Sequence, residues 1–168
     1  TNYNVDDGVN RFQTSNPAGL EDILKNLGPE LALLEENIIR DIQTDVELLN
    51  TVSQHILLAG GKRLRPALVL LASSLFQPIE ESSLRAAQVV EYLHTATLLH
   101  DDVVDGAETR RAQKAARQIW GNEASILSGD FLLSKAFHML TTLSNLEVLK
   151  IMSRTTTLMA EGEILQLT

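Results

Sequence analysis

Asp101 and Asp105 stand four residues apart in the segment Asp101-Asp102-Val103-Val104-Asp105. On an α-helix that spacing is about one turn, roughly 6 Å of rise, so both carboxylates leave from one face. Two hard oxygen ligands converge there. Left unneutralised they repel by roughly a few tenths of a kcal/mol, and a cation is a physical reason to keep them together. Mg2+ suits the pair, because it is usually bound through one or two carboxylates while waters and substrate phosphates fill its other positions. Asp102 points about a quarter-turn away and reads as a support behind the metal rather than a ligand. The competing reading is an acidic, solvated helix end before Gly106, although a helix C-terminus favours cations over carboxylates. The run Thr95 to Leu99 just ahead is mostly apolar, so the acids emerge from a buried stripe, as metal sites inside helical bundles do. On these residues alone both readings stand.

A second cluster is Gly60-Gly61-Lys62-Arg63-Leu64-Arg65-Pro66. It lacks the four-residue spacer and the Lys-Ser/Thr pair of a Walker A loop. It does offer a tight backbone turn followed by Lys62 and Arg65, and a guanidinium can hold phosphate oxygens bidentately. A glycine helix stop with basic residues neutralising the helix end explains the same residues. Arg110 and Arg111 follow Asp105 closely; they are either solvated surface or, beside a magnesium diphosphate, the remaining counter-charge. His94 lies two turns before Asp101 on roughly the same face, and a satisfied core histidine is as open a reading as a ligand.

The composition narrows the field. The chain has 168 residues, enough for one domain with a core, and its 44% hydrophobic and 21% charged residues are those of an ordinary globular protein. A net charge of −8 argues against nucleic-acid partners, which need a basic face. Seven of the fourteen Lys and Arg nevertheless fall in two short stretches, Lys62 to Arg65 and Arg110 to Arg117, a pattern for a small anion. With no cysteine, neither disulfides nor thiolate metal sites are available. The longest strongly apolar run, Ala67 to Phe76, falls far short of the roughly 20 residues that span a bilayer. Thr1 to Pro17 is polar and has no hydrophobic signal core, so a cytoplasmic protein without a membrane span is expected.

These residues need helices to position them, and apolar residues recur at helical spacing from Leu20 onward with no convincing alternating strand. Residues 1–17 read as a polar, flexible tail and 18–168 as one helical domain. Gly28 and Pro29 start the main helix of the first region. A second helix is expected from Asp45 to Ala59, stopped by Gly60 and Gly61, and a third from Ala67 to Phe76, opened by Pro66. A long helix then runs from near Glu80 to Asp105. A loop rich in Arg and Ala leads to helices over Glu123–Leu143 and from Leu146 onward. The last helix carries apolar residues up to Leu167 without a stop signal, so it looks cut rather than finished, its face left to another chain or to solvent.

Taken together, the Gly60–Pro66 segment, the run from Glu91-Tyr92-Leu93-His94 through His100-Asp101-Asp102 to Asp105, and Gly129-Asp130-Phe131 resemble the trans-polyprenyl diphosphate synthase family, closest to bacterial octaprenyl and other long-chain synthases. The resemblance runs from about Leu20 to Thr168 and implies an all-α bundle of the isoprenoid synthase type, here incomplete at its C-terminal helices, and usually a homodimer. It implies a prenyltransferase that condenses isopentenyl diphosphate with an allylic prenyl diphosphate. By the same resemblance, Asp101 and Asp105 are the Mg2+ ligands, Arg110 holds the allylic diphosphate, and Lys62, Arg65, His94 and Arg111 contact isopentenyl diphosphate. Where bulky aromatics before the first Asp would stop the chain early, this sequence has Ala96 and Thr97, which implies a long product of about thirty carbons or more.

Two departures stand out. Ala112 occupies a position where the family usually has Gly, and no Asp follows Asp130, so the second Asp-rich motif and the later Lys-Thr and Gln are not found. Little or no elongation is therefore expected from these residues alone. A noncatalytic subunit of a heteromeric synthase and a plain helical interaction module are the alternatives. The intact first Asp motif speaks against the noncatalytic subunit, which has no physical need for a magnesium face; magnesium-dependent binding of a bisphosphonate or prenyl thiodiphosphate separates the helical module.

Overall fold

A computed structural model of the chain describes residues 19–168; the tail expected over residues 1–17 lies outside the described residues. The elements, in order, are α1 (Leu20–Asn26), α2 (Gly28–Asp41), α3 (Glu47–Leu57), α4 (Leu64–Ser74), α5 (Glu81–Val104), β1 (Thr109–Arg110), β2 (Gln113–Lys114), α6 (Ala116–Trp120), α7 (Asn122–Thr142) and α8 (Leu146–Gln166). The fold is all-helical apart from one minimal hairpin.

The axis of the bundle is α5. Its Leu84, Ala87, Val89, Tyr92, Leu93, Ala96 and Leu99 are buried, and they recur on more than one face because helices surround it. Along one side α7 contributes Leu132, Ala136, Met139 and Leu140; α2 contributes Leu34 and Ile38, α3 Val52 and Leu57, α4 Ala67 and Leu70. Each buried leucine or isoleucine stabilises the fold by about 1.5–3 kcal/mol before entropy is counted. Two polar side chains within this core bond across helices. Ser125 Oγ donates to the Leu99 carbonyl at 3.0 Å, stitching α7 to α5. Tyr92 donates its hydroxyl to the Ile38 carbonyl at 3.3 Å, and burial pushes that phenol far above its ordinary range, so it stays a donor.

Most expected elements are present, with three differences. The helix expected from Ala67 begins at Leu64, which puts Pro66 inside the first turn, where its missing N–H costs nothing. The Arg- and Ala-rich loop holds a β-hairpin and the short helix α6. In the hairpin Thr109 pairs with Lys114 and Arg110 with Gln113, and the two turn residues, Arg111 and Ala112, have φ of 50° and 63°. Two residues with positive φ make the two-residue turn whose twist matches a hairpin, but glycine or asparagine normally supplies it, so no turn signal was visible in the composition.

The Asn145 side chain caps α8, accepting from the backbone of Glu147 and Val148 at 3.1 and 3.2 Å. That helix has no buried residue, and Ile151, Leu158, Ile164 and Leu165 are exposed. An open apolar groove of about 800 Å³ lies between α7 and α8, with Phe137, Thr156 and Ile164 in its walls. Among the described residues no helix is long and apolar enough to cross a membrane.

Candidate functional site

Asp101 and Asp102 lie in the last turn of α5 and Asp105 is the residue that ends it, still in helical conformation, its N–H donating to the Asp101 carbonyl at 2.8 Å. The one-turn spacing of Asp101 and Asp105 is therefore kept. Asp101 is half-buried and Asp105 exposed. Burial, the carboxylate of Glu163 on α8 and that of Asp105 together raise the Asp101 carboxyl above its usual range, against the opposing pull of Arg110 and His100. Crowded carboxylates of this kind gain from a cation. Among the described residues no three acidic or imidazole groups gather closely enough to enclose a metal by themselves. Two carboxylates one turn apart could hold Mg2+, which leaves most of its positions to water and phosphate.

Asp102 turns the other way. It is fully buried and accepts from Arg110 Nε at 2.9 Å; Nη2 of the same guanidinium reaches the same oxygen, Oδ1. Its second oxygen has no protein partner. The hairpin that carries Arg110 is in this way anchored on α5.

The loop before α4 forms the other half. Lys62, Arg65, His94 and Arg111 surround one recess of about 260 Å³, with Gly61 and Glu91 also in its wall. Arg111 Nη1 donates to the Gly60 carbonyl and lies against the neighbouring glycine: a Cβ on Gly61 would stand 2.8 Å from it. A side chain there would push the hairpin arginine out of the recess. Burial lowers the pKa of His94, and Arg65, Arg111 and Arg110 lower it further while Glu91 opposes them, so the imidazole is neutral at pH 7. Arg110, bonded to Asp102 between Asp101 and Asp105, is the chain neighbour of Arg111 in the recess wall, so the cationic recess and the carboxylate pair adjoin.

The structure therefore gathers Lys62, Arg65, His94 and Arg111 in one place, with Arg110, Asp101 and Asp105 beside it. Of the two positions connected with chain length, Thr97 is half-buried one turn before Asp101, and Ala96 is packed in the core. Four participants were given no individual role in the sequence. Arg63 and Glu91 form a buried ion pair at 2.6 Å beneath the recess, for which the only signal was that Glu91 precedes His94 by one turn. Glu163 joins the field on Asp101 from α8, far away in the chain, with no local signal. His100 lies 3.2 Å from Asp130 of the Gly129-Asp130-Phe131 segment, which brings these two segments together in the fold.

The polyprenyl synthetase family model matches residues 46–168. The octaprenyl diphosphate synthase of Escherichia coli (strain K12) is 40% identical over 148 residues, 88% of this chain and 46% of that protein. An all-trans-nonaprenyl-diphosphate synthase (geranyl-diphosphate specific) of Rhodobacter capsulatus is 42% identical over 151 residues, again 88% of this chain and 46% of the relative. Among solved structures, a polyprenyl synthase from Caulobacter crescentus CB15, complexed with calcium and isoprenyl diphosphate, superposes with a TM-score of 0.85 at 38% identity, covering 89% of this chain and 46% of the other. The chain spans about half the length of the curated relatives it matches. The fold is that of the isoprenoid synthases, and the chain belongs to the polyprenyl synthetase family.

Proposed function

We propose that this chain carries the diphosphate-binding half of a trans-prenyltransferase that condenses isopentenyl diphosphate with an allylic prenyl diphosphate into a long-chain polyprenyl diphosphate. The observation that carries the reading is the junction at Arg110 of a carboxylate pair, Asp101 and Asp105, with a cationic recess made by Lys62, Arg65, His94 and Arg111. A magnesium diphosphate needs both kinds of group within reach of each other. The solved relative complexed with calcium and isoprenyl diphosphate supports the pairing of a divalent cation with a prenyl diphosphate on this fold.

Asp101 and Asp105 would hold Mg2+, which when bound supplies Lewis-acid stabilisation of the charge developing on the leaving diphosphate. Arg110 takes oxygens of the allylic diphosphate and favours C–O cleavage into an allylic cation and pyrophosphate. Lys62, Arg65 and Arg111 hold isopentenyl diphosphate by charge, and neutral His94 donates a ring N–H to it. Held there, its double bond attacks the cation, and the departing pyrophosphate accepts the proton that is lost. The protein's share is positioning and the exclusion of water from a cation that water would quench. Small Ala96 and Thr97 leave the product free to lengthen, a reading that the octaprenyl and nonaprenyl synthases among the relatives support. The protein works as a homodimer in the cytoplasm.

The test is calorimetric titration with a bisphosphonate and with farnesyl thiodiphosphate, each with Mg2+ and with chelator. Magnesium-dependent binding is expected, with little or no elongation of radiolabelled isopentenyl diphosphate by these 168 residues alone. No binding, or binding indifferent to Mg2+, overturns the reading in favour of a plain helical module. Turnover only with an added partner chain assigns the noncatalytic-subunit role. Elongation that ends exclusively at fifteen carbons overturns the long-chain reading.

A further inference from the structure

Three basic residues stand together where the loop enters the first turn of α4, and only the middle one turns inward: Lys62 and Arg65 are exposed, whereas the Arg63 side chain is 8% exposed. Arg63 holds a left-handed backbone conformation, φ 47°, which is strained for a residue with a Cβ and has to be offset by its contacts. Those contacts reach three elements. Nη1 donates to Glu91 of α5 at 2.6 Å, Nε to Glu35 of α2 at 3.1 Å, and Nη2 to the Leu57 carbonyl at the end of α3 at 2.6 Å.

Glu91 also lines the recess that Lys62, Arg65, His94 and Arg111 surround. A bare carboxylate in the wall of an anion site repels its ligand, and in a half-buried setting that repulsion is poorly screened. We propose that Arg63 is a positioning residue for diphosphate binding: it neutralises Glu91 beneath the recess and fixes the loop so that Lys62 and Arg65 face outward to the ligand. The proposal rests on the reading of the recess as a diphosphate site. It goes further by assigning a binding role, exerted through Glu91 and the loop, to the inward-turned arginine in the wall of the recess. A purely architectural ion pair would be replaceable by packing, since such pairs add little net stability over apolar residues of similar size. A neutralising pair is not replaceable in that way unless the carboxylate goes too.

The experiment compares pyrophosphate and isopentenyl diphosphate binding, by calorimetry, in the wild-type chain and in Arg63→Met, Glu91→Gln and the double variant, with a thermal melt of each. Arg63→Met is expected to weaken binding about tenfold or more, and adding Glu91→Gln to bring it back to within about threefold of wild type. Should Arg63→Met not fold, Arg63→Gln and Arg63→Lys replace it: Gln keeps hydrogen bonding without the charge and is expected to bind as weakly, while Lys stays within about threefold of wild type. A double variant as weak as Arg63→Met, or equal losses in the Gln and Lys variants, overturns the proposal. So does wild-type binding in every variant. A wild-type chain that binds neither probe overturns the functional reading itself, and this proposal with it.

Discussion

Arg110 meets Asp102 with two of its nitrogens on one carboxylate oxygen, and the two partners are unequally buried: the Asp102 side chain is wholly enclosed, whereas that of Arg110 is 31% exposed. The asymmetry decides what each deletion costs. Arg110→Met strands a buried carboxylate without its counter-charge and is expected to destabilise the fold by about 3–5 kcal/mol. Asp102→Ala frees an arginine that can turn to water, and should cost only about 1–3 kcal/mol. Urea denaturation of both variants checks the ranking; an equal or reversed order would show that the unequal burial of the two partners does not set the cost.

Gly129 is the place where α7 lets His100 through. A Cβ there would stand 2.7 Å from His100 Cδ2 and closer still to Nε2, and a ring that moved aside would give up its 3.2 Å contacts with the Ile126 carbonyl and Asp130 Oδ1. Gly129→Ala is expected to lose about 1–3 kcal/mol by overpacking, measured by chemical denaturation. Gly129→Ala/His100→Ala removes the clash and should recover part of the loss. If it recovers none, the close approach is not what holds the glycine there.

Ala112 occupies a left-handed position of the hairpin turn. The strain of about 1–2 kcal/mol for an L-residue exceeds the roughly 0.4–1 kcal/mol of unfolded-chain entropy that glycine would add. Ala112→Gly is therefore expected to raise stability by up to about 1 kcal/mol. A thermal melt of the variant that moves downward would refute the turn assignment.

Asp101, the proposed metal ligand, carries a cost in stability from its burial and its acidic neighbours. Because its carboxyl is raised in the fold, its contribution is fully present below the unfolded carboxylate range and is lost as pH rises through the folded value. Asp101→Asn is accordingly expected to melt higher than wild type at pH 7, with the difference fading as pH is lowered into the ordinary carboxylate range. The same variant should lose magnesium-dependent bisphosphonate binding. Wild-type binding should fall as pH drops through the raised value, because only the ionised carboxylate binds the cation. A variant that melts no higher at pH 7 would show that the like charges of Asp105 and Glu163 do not strain the site.

Helix identity was legible in the sequence because it is local: apolar spacing, Gly28-Pro29 and the Gly60-Gly61 stop concern residues within a turn or two of one another. The one-turn spacing of Asp101 and Asp105 was legible for the same reason. So was the existence of two cationic spots in an acidic chain, though not that they meet. The tertiary fold alone decided that Lys62 and Arg111, far apart in the chain, share a recess, that Arg63 turns inward while its neighbours face out, and that Glu163 reaches the field of Asp101. It also decided the hairpin, whose left-handed residues are an arginine and an alanine held by the Arg110–Asp102 anchor rather than by their own preference. Backbone periodicity depends on neighbours along the chain, whereas the direction in which a charge points depends on which helices enclose it. No residue type or spacing carries that second kind of information.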